Sequence, residues 1–221
     1  GSAWRPVFDA QPTQNIGAIA IQQNNPSIVW VGTGEGNPRN SMNLGMGIFK
    51  SVDGGNTWQH LGLEGTKTIH RIITDPSNPD VVYVGAMGDP FTPNEHRGLY
   101  KTTDGGETWE RRNRRTNQAT TPDPITGECG KEIGFCVHNI SRSADGRTFY
   151  MQNHQGVFRS RDEGRSWDEI SEGLPATFGF PVAAHPVDAD TLYVLPLDEW
   201  NGRMPLGGKA TVWRSTKAGE G

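Results

Sequence analysis

The chain has 221 residues, 33% hydrophobic and 21% charged, with a formal net charge of −4. That length and composition allow a sizeable core, and the absence of a basic excess argues against a nucleic-acid partner. No apolar run approaches the roughly 18 residues of a membrane-spanning helix, and 29 glycines, 15 prolines and 7 tryptophans suit many short strands joined by tight turns.

Gly1-Ser2 reads as the scar of a removed tag, and no secretory signal follows it. AWRPVF (3–8) reads as an isolated strand. IGAIAIQQNNPSIVWVGTG then reads strand–turn–strand, and GIFKSVDGGNTW (47–58) follows as a second hairpin. The same order recurs three times. IHRIITDPSNPDVVYVGAM precedes GLYKTTDGGETW (98–109), HNISRSADGRTFYMQN precedes GVFRSRDEGRSW (156–167), and FPVAAHPVDADTLYVLPL precedes TVWRSTKAGEG (211–221). The turns NNPS, DPSNPD, SADG and PVDAD collect the residues that favour chain reversal. Two successive hairpins make a four-stranded antiparallel sheet, the blade of a β-propeller. One all-β domain over 1–221 is expected, with blades at 15–63, 67–113, 135–174 and 178–221, the last supplying three strands.

The second hairpins share [ST]-x-D-x-G-x-[TS]-W. Asp53, Asp104 and Asp162 are expected to accept backbone N–H groups of their own turns. Gly55, Gly106 and Gly164 supply backbone conformations that side chains resist, and Trp58, Trp109 and Trp167 pack against the hairpins. These aspartates read as folding devices rather than catalytic acids. One carboxylate per turn is too few oxygens for calcium.

Trp58 and Trp109 are 51 residues apart, and Trp109 and Trp167 are 58 apart. Trp213 fixes the register of the fourth copy, whose own motif Trp would fall at 222. Trp4, 54 residues before Trp58, takes that place, so residues 3–8 are expected to be the outer strand of the last blade. Lys217 stands where the fourth aspartate would be. Closure can occur within one chain, giving four blades, or by exchange between two chains, giving eight with two-fold symmetry. Eight blades diverge less and stack more evenly, so a homodimer is expected.

These motifs resemble the Asp-box, or bacterial neuraminidase repeat, superfamily, which includes sialidases, sortilin-type ectodomains and xyloglucan-hydrolysing propellers. Residues 3–111, with WVGTGEGNPRNS and HRIITDPSNPD, resemble the sortilin-related bacterial group. Residues 112–221, with CVHNI, MQNHQGVFRS and EGLPATFGFPVAAHP, resemble sialidase-like exo-hydrolases. The resemblance implies secreted or periplasmic bacterial parents. Its mixture suggests an engineered chimaera or excised fragment, with a natural parent of mixed character as the alternative. Sialidase activity does not carry over. Its Phe/Tyr-Arg-Ile-Pro stretch is echoed only by His70-Arg71-Ile72-Ile73, and no arginine triad can be matched.

Glycoside cleavage needs two carboxylates across a cleft. Glu35, Asp89, Glu95, Asp198 and Glu199 lie in loops after second strands, where a propeller opens a mouth. Arg39, Asn40, Asn153, His154 and Trp200 are candidate ligand contacts there, while His138 reads as core or pore lining. Cys129 and Cys136 form either a small disulfide or two separate thiols, and no set of zinc ligands surrounds them. The function expected is a non-catalytic scaffold or binding module that assembles with itself. It needs no cofactor or metal and takes a carbohydrate or peptide ligand. The alternative is a glycoside hydrolase using the loop carboxylates.

Overall fold

The computed structural model describes residues 3–36, 42–89, 92, 95–112, 137–198 and 202–220. Cys129 and Cys136 lie outside them. The described fold is all-β, with four antiparallel sheets and no α-helix. The first sheet runs β1 (Ile16–Ile21), β2 (Val29–Thr33), β3 (Ile48–Ser51) and β4 (Gln59–His60). The second runs β5 (Ile69–Thr74), β6 (Val82–Ala86), β7 (Gly98–Thr102) and β8 (Glu110–Arg111). The third comprises β9 (Asn139–Arg142), β10 (Phe149–Gln152), β11 (Val157–Ser160) and β12 (Asp168–Glu169). The fourth has three strands, β13 (Gly179–Ala184), β14 (Leu192–Pro196) and β15 (Trp213–Ser215).

Strand order follows chain order in every sheet, because each tight turn returns the chain beside the strand it has just left. Every residue of β6 and β10 is buried, so VYVGA and FYMQ do not alternate as a half-solvated strand would. Two compact units comprise residues 1–90 with 101–110, and residues 91–100 with 111–221. Trp30, Ile48, Ile69, Val82 and Val84 are fully buried in the first. In the second, Tyr150, Val157, Ile170, Val182, Leu192 and Val194 form one apolar cluster.

The repeated aspartates close their turns with a shared hydrogen-bond set. The Ser51 hydroxyl donates to Asp53 Oδ1 at 2.8 Å and accepts the Gly55 N–H at 2.8 Å. Asp53 also accepts the Thr57 N–H at 2.9 Å and the Thr57 hydroxyl at 2.7 Å. Thr102, Asp104, Gly106 and Thr108 repeat the arrangement, as do Ser160, Asp162, Gly164 and Ser166. Gly55, Gly106 and Gly164 sit at φ of 90°, 101° and 84°, a region costly for other residues.

Donors held on a carboxylate favour its anion. The Thr57 N–H, with the Thr57 and Ser51 hydroxyls, lowers Asp53 to about 2. Hydroxyls of Thr102 and Thr108 lower Asp104. Burial pushes Asp162 upward, but the Ser166 and Ser160 donors outweigh it and the net direction is down. All three carboxylates are committed to their turns. The fourth turn keeps part of the set, since Ser215 Oγ accepts the Gly219 N–H at 3.0 Å.

Residues 3–8 form no strand, contrary to the expectation of an outer strand for the last sheet. They pack on the first aspartate turn instead. Arg5 donates to Asn56 Oδ1. The Val7 carbonyl accepts the Trp58 indole N–H at 2.6 Å. Phe8 sits edge-on to Phe49 and Trp58, with centroids 5.3 and 4.8 Å away. Trp4 is left 94% exposed.

Candidate functional site

The second unit gathers aromatic and polar side chains where β9 and β13 begin. His138 precedes β9, and Phe178 and Phe180 bracket the first residue of β13. The rings of His138 and Phe180 stack with centroids 4.7 Å apart, and those of His154 and Phe178 stack at 5.6 Å with 13° between planes. His138 meets His154 edge-on at 4.5 Å. The Arg203 guanidinium lies 6.0 Å from the Phe180 centroid, within cation–π range. His138, Phe178 and Gly179 are buried, while His154 and Phe180 are half-buried and Arg203 is exposed. One edge of the cluster therefore reaches solvent.

Backbone and amide bonds hold these rings in place. His138 Nδ1 lies 2.7 Å from the Gly179 carbonyl. A carbonyl only accepts, so Nδ1 carries the proton. The Gln152 amide reaches the carbonyls of Asn153, Gly156 and Thr177 at 2.9 to 3.0 Å. Asn153 Oδ1 accepts the backbone N–H groups of Gln155 and Gly156 at 2.8 and 3.1 Å, which turns the chain and presents His154. Asn153 Nδ2 and both amide atoms of Gln155 are buried without a hydrogen-bond partner. Such groups normally find one in protein or bound water.

The loop after β14 adds a carboxylate. Asp198 and Met204 exchange bonds, Asp198 N–H to the Met204 carbonyl at 2.8 Å and Met204 N–H to Asp198 Oδ1 at 2.9 Å. The Leu197 N–H bonds to the Phe178 carbonyl at 2.9 Å, tying this loop to the aromatic cluster. Glu95, before β7, is exposed, with Oε1 3.7 Å from His96 Nε2.

In the first unit Glu35 is half-buried and bonded across its loop. Its N–H meets the Asn43 carbonyl at 3.0 Å, and Oε2 accepts the Asn43 N–H at 3.4 Å. A side chain on Gly36 would fall 2.8 Å from His70 Nδ1. Burial, followed by the Arg71 charge, lowers His70 to about 4, so its imidazole is neutral at neutral pH. Asp89 is half-buried in the loop after β6.

Asn153, His154 and Asp198 thus belong to one neighbourhood with His138. Arg39, Asn40, Glu199 and Trp200 lie outside the described residues. Sequence reasoning missed Phe178, Phe180 and Arg203. Phe-Gly-Phe at the head of a strand puts two rings on one face, and that alternation was a legible signal. No group of three metal-binding side chains occurs among the described residues.

No protein-family model matches the chain. The sequence is 26% identical over 236 residues to a xyloglucanase of Paenibacillus sp, covering 96% of this chain and 22% of that protein. A xyloglucanase of Acetivibrio thermocellus is 26% identical over 98% of this chain and 27% of its own length. An oligoxyloglucan-reducing end-specific xyloglucanase of Emericella nidulans is 27% identical over 81% of this chain and 22% of its own. The chain therefore spans about a quarter of these relatives. Among solved structures, an ancestral GH74 enzyme gives a TM-score of 0.60 at 18% identity, covering 90% of this chain and 24% of that one. The GH74 xyloglucanase from Xanthomonas campestris gives 0.60 at 14% identity, covering 91% and 28%.

The expectation of a non-catalytic scaffold is overturned by these relatives, which are named as enzymes. That reading found no sialidase machinery and took the loop carboxylates as solvated groups that any propeller mouth would present, whereas the relatives favour the alternative of a glycoside hydrolase. The four sheets have the fold of β-propeller enzymes, and the curated proteins that the sequence resembles are glycoside hydrolases.

Proposed function

We propose that the chain is part of a glycoside hydrolase acting on xyloglucan-type polysaccharide, and that the cluster of His154, Phe178, Phe180 and Arg203 meets the sugar. The observation that carries the reading is that xyloglucanases match 81 to 98% of the chain. The cluster suits a carbohydrate chemically. Half-buried rings offer apolar faces to sugar C–H groups, and Arg203 offers donors to hydroxyls.

Glu95 and Asp198 are the carboxylates we assign to the reaction. A glycosidase needs one carboxyl group to protonate the leaving oxygen and another to act as nucleophile or to activate water. Both residues follow the second strand of a sheet, in loops of the second unit. Asp198 is positioned by its bond from the Met204 N–H, whereas Glu95 is exposed, with His96 beside it.

The test is release of reducing ends from xyloglucan by the intact chain. Turnover that falls at least about a hundredfold in both Glu95→Gln and Asp198→Asn is expected for general acid and base groups. Turnover unchanged in both variants would refute the assignment of those residues. No turnover by the unsubstituted chain would refute the activity.

A further inference from the structure

We propose that Gln155 is a specificity residue of the aromatic cluster, resting on the assignment of that cluster to carbohydrate, and that its buried amide takes a hydroxyl of an uncharged sugar. Asn153 builds the turn that joins β10 to β11. Its N–H bonds to the Gly156 carbonyl at 3.1 Å, and its Oδ1 accepts the N–H groups of Gln155 and Gly156. Those two bonds decide which end of the amide is oxygen, so Nδ2 is the end turned away from them. The turn carries His154 into its stack on Phe178. On either side of His154 in the chain, Asn153 and Gln155 are fully buried.

Neither flanking amide is satisfied. Asn153 Nδ2, Gln155 Nε2 and Gln155 Oε1 have no hydrogen-bond partner among the described residues. A buried amide without partners carries the full penalty of leaving water, and folded proteins keep few such groups. Gln152 behaves differently three positions earlier, where its Nε2 reaches three carbonyls. Gln155 is left out of that network.

Strand register places Gln155 at a recurring position. Val31 pairs with Phe49, Met151 with Phe158 and Val194 with Trp213. Four positions after Val31, Met151 and Val194 come Glu35, Gln155 and Asp198. In the third sheet Gln155 therefore takes the place that an acidic residue holds in the first and the fourth, and Asp198 is the one we assign to the reaction. A glutamine there keeps the length of a glutamate and removes the charge.

The unmet groups are two donor nitrogens and one acceptor oxygen. A metal cation needs acceptors alone, and a carboxylate or phosphate needs donors alone. A hydroxyl donates and accepts, so it complements the mixed set, and an uncharged ligand buries no unpaired charge. No hydrogen bond holds the Gln155 amide, so it can turn toward a sugar lying on the half-buried rings of His154 and Phe180.

Thermal unfolding and calorimetric titration of the intact chain and of Gln155→Met test this, with a xyloglucan oligosaccharide and a cello-oligosaccharide as probes. Methionine keeps the length of the side chain and removes its hydrogen-bonding groups. The variant is expected to unfold at a higher temperature, because an unpaired buried amide is gone, and to bind sugar at least about tenfold more weakly. A lower unfolding temperature would show that the amide serves the fold, and it would overturn the proposal. Equal affinity of the two proteins for the xyloglucan oligosaccharide would also overturn it, while leaving the xyloglucan reading in place. Gln155-dependent binding of the cello-oligosaccharide alone would support the proposal and refute xyloglucan as the substrate. Binding of neither sugar would overturn the proposal.

Discussion

Trp109 donates its indole N–H to the carbonyl of Leu61 across 2.9 Å, joining residues 48 positions apart in sequence. Trp30 meets Trp109 edge-on at 6.2 Å, so one side chain combines an apolar face with a polar anchor. Trp109→Phe keeps an aromatic ring and loses the N–H. A loss of about 1 kcal/mol, typical of one hydrogen bond, is expected in the urea midpoint.

Lys217 occupies the aspartate position of the fourth turn, whose Ser215 Oγ still accepts the Gly219 N–H. Lys217→Asp would give the Ser215 hydroxyl the acceptor that Ser51 finds in Asp53. Stabilisation of about 1 kcal/mol, similar to other side-chain caps, is expected in thermal unfolding. An unchanged midpoint would show that this turn needs no carboxylate.

Acid should weaken the fold in two windows. His70, lowered from 6.5 to about 4 by burial and then by Arg71, is held neutral in the fold while the unfolded chain takes up a proton. Its stabilising share is present above pH 6.5 and is lost as pH falls toward about 4. His70→Gln should flatten that part of the curve of stability against pH. Asp53 is lowered from 3.8 to about 2 by the donors of Thr57 and Ser51. Its share persists above pH 3.8 and is lost as pH falls through about 2. Asp53→Asn should remove that step.

Phe180 and His154 are the half-buried rings of the aromatic cluster, stacked on His138 and Phe178 respectively. Phe180→Ala and His154→Ala should each weaken binding of a xyloglucan oligosaccharide by about tenfold, a common cost of truncating a binding aromatic. Calorimetric titration checks this. Equal affinity in both variants would move the sugar elsewhere.

Much of the fold was legible because its signals are local. Ser51, Asp53, Gly55 and Thr57 close a turn within seven residues, and the sequence pattern states which groups must meet. Alternation and turn residues likewise mark the hairpins. The fate of Trp4 was harder to read, because register shows which position a residue occupies but not which edge it finds. The aromatic cluster was read in part. His154 and Asn153 follow from loop position, but the stacking of Phe178 and Phe180 on two histidines needs β9 and β13 side by side, a contact between residues some 40 positions apart. The functional expectation erred because loop carboxylates such as Glu95 and Asp198 look the same in sequence whether they are solvated loop groups or a working pair, and the first reading was preferred.

The most direct measurement is mass spectrometry of a xyloglucan oligosaccharide incubated with the intact chain in heavy-oxygen water. Hydrolysis is expected to yield shorter fragments, the one with the newly formed reducing end carrying one heavy oxygen from the attacking water and the leaving fragment keeping the original glycosidic oxygen, with neither formed by Glu95→Gln or Asp198→Asn. An oligosaccharide recovered intact and unlabelled would contradict glycoside hydrolysis by this chain.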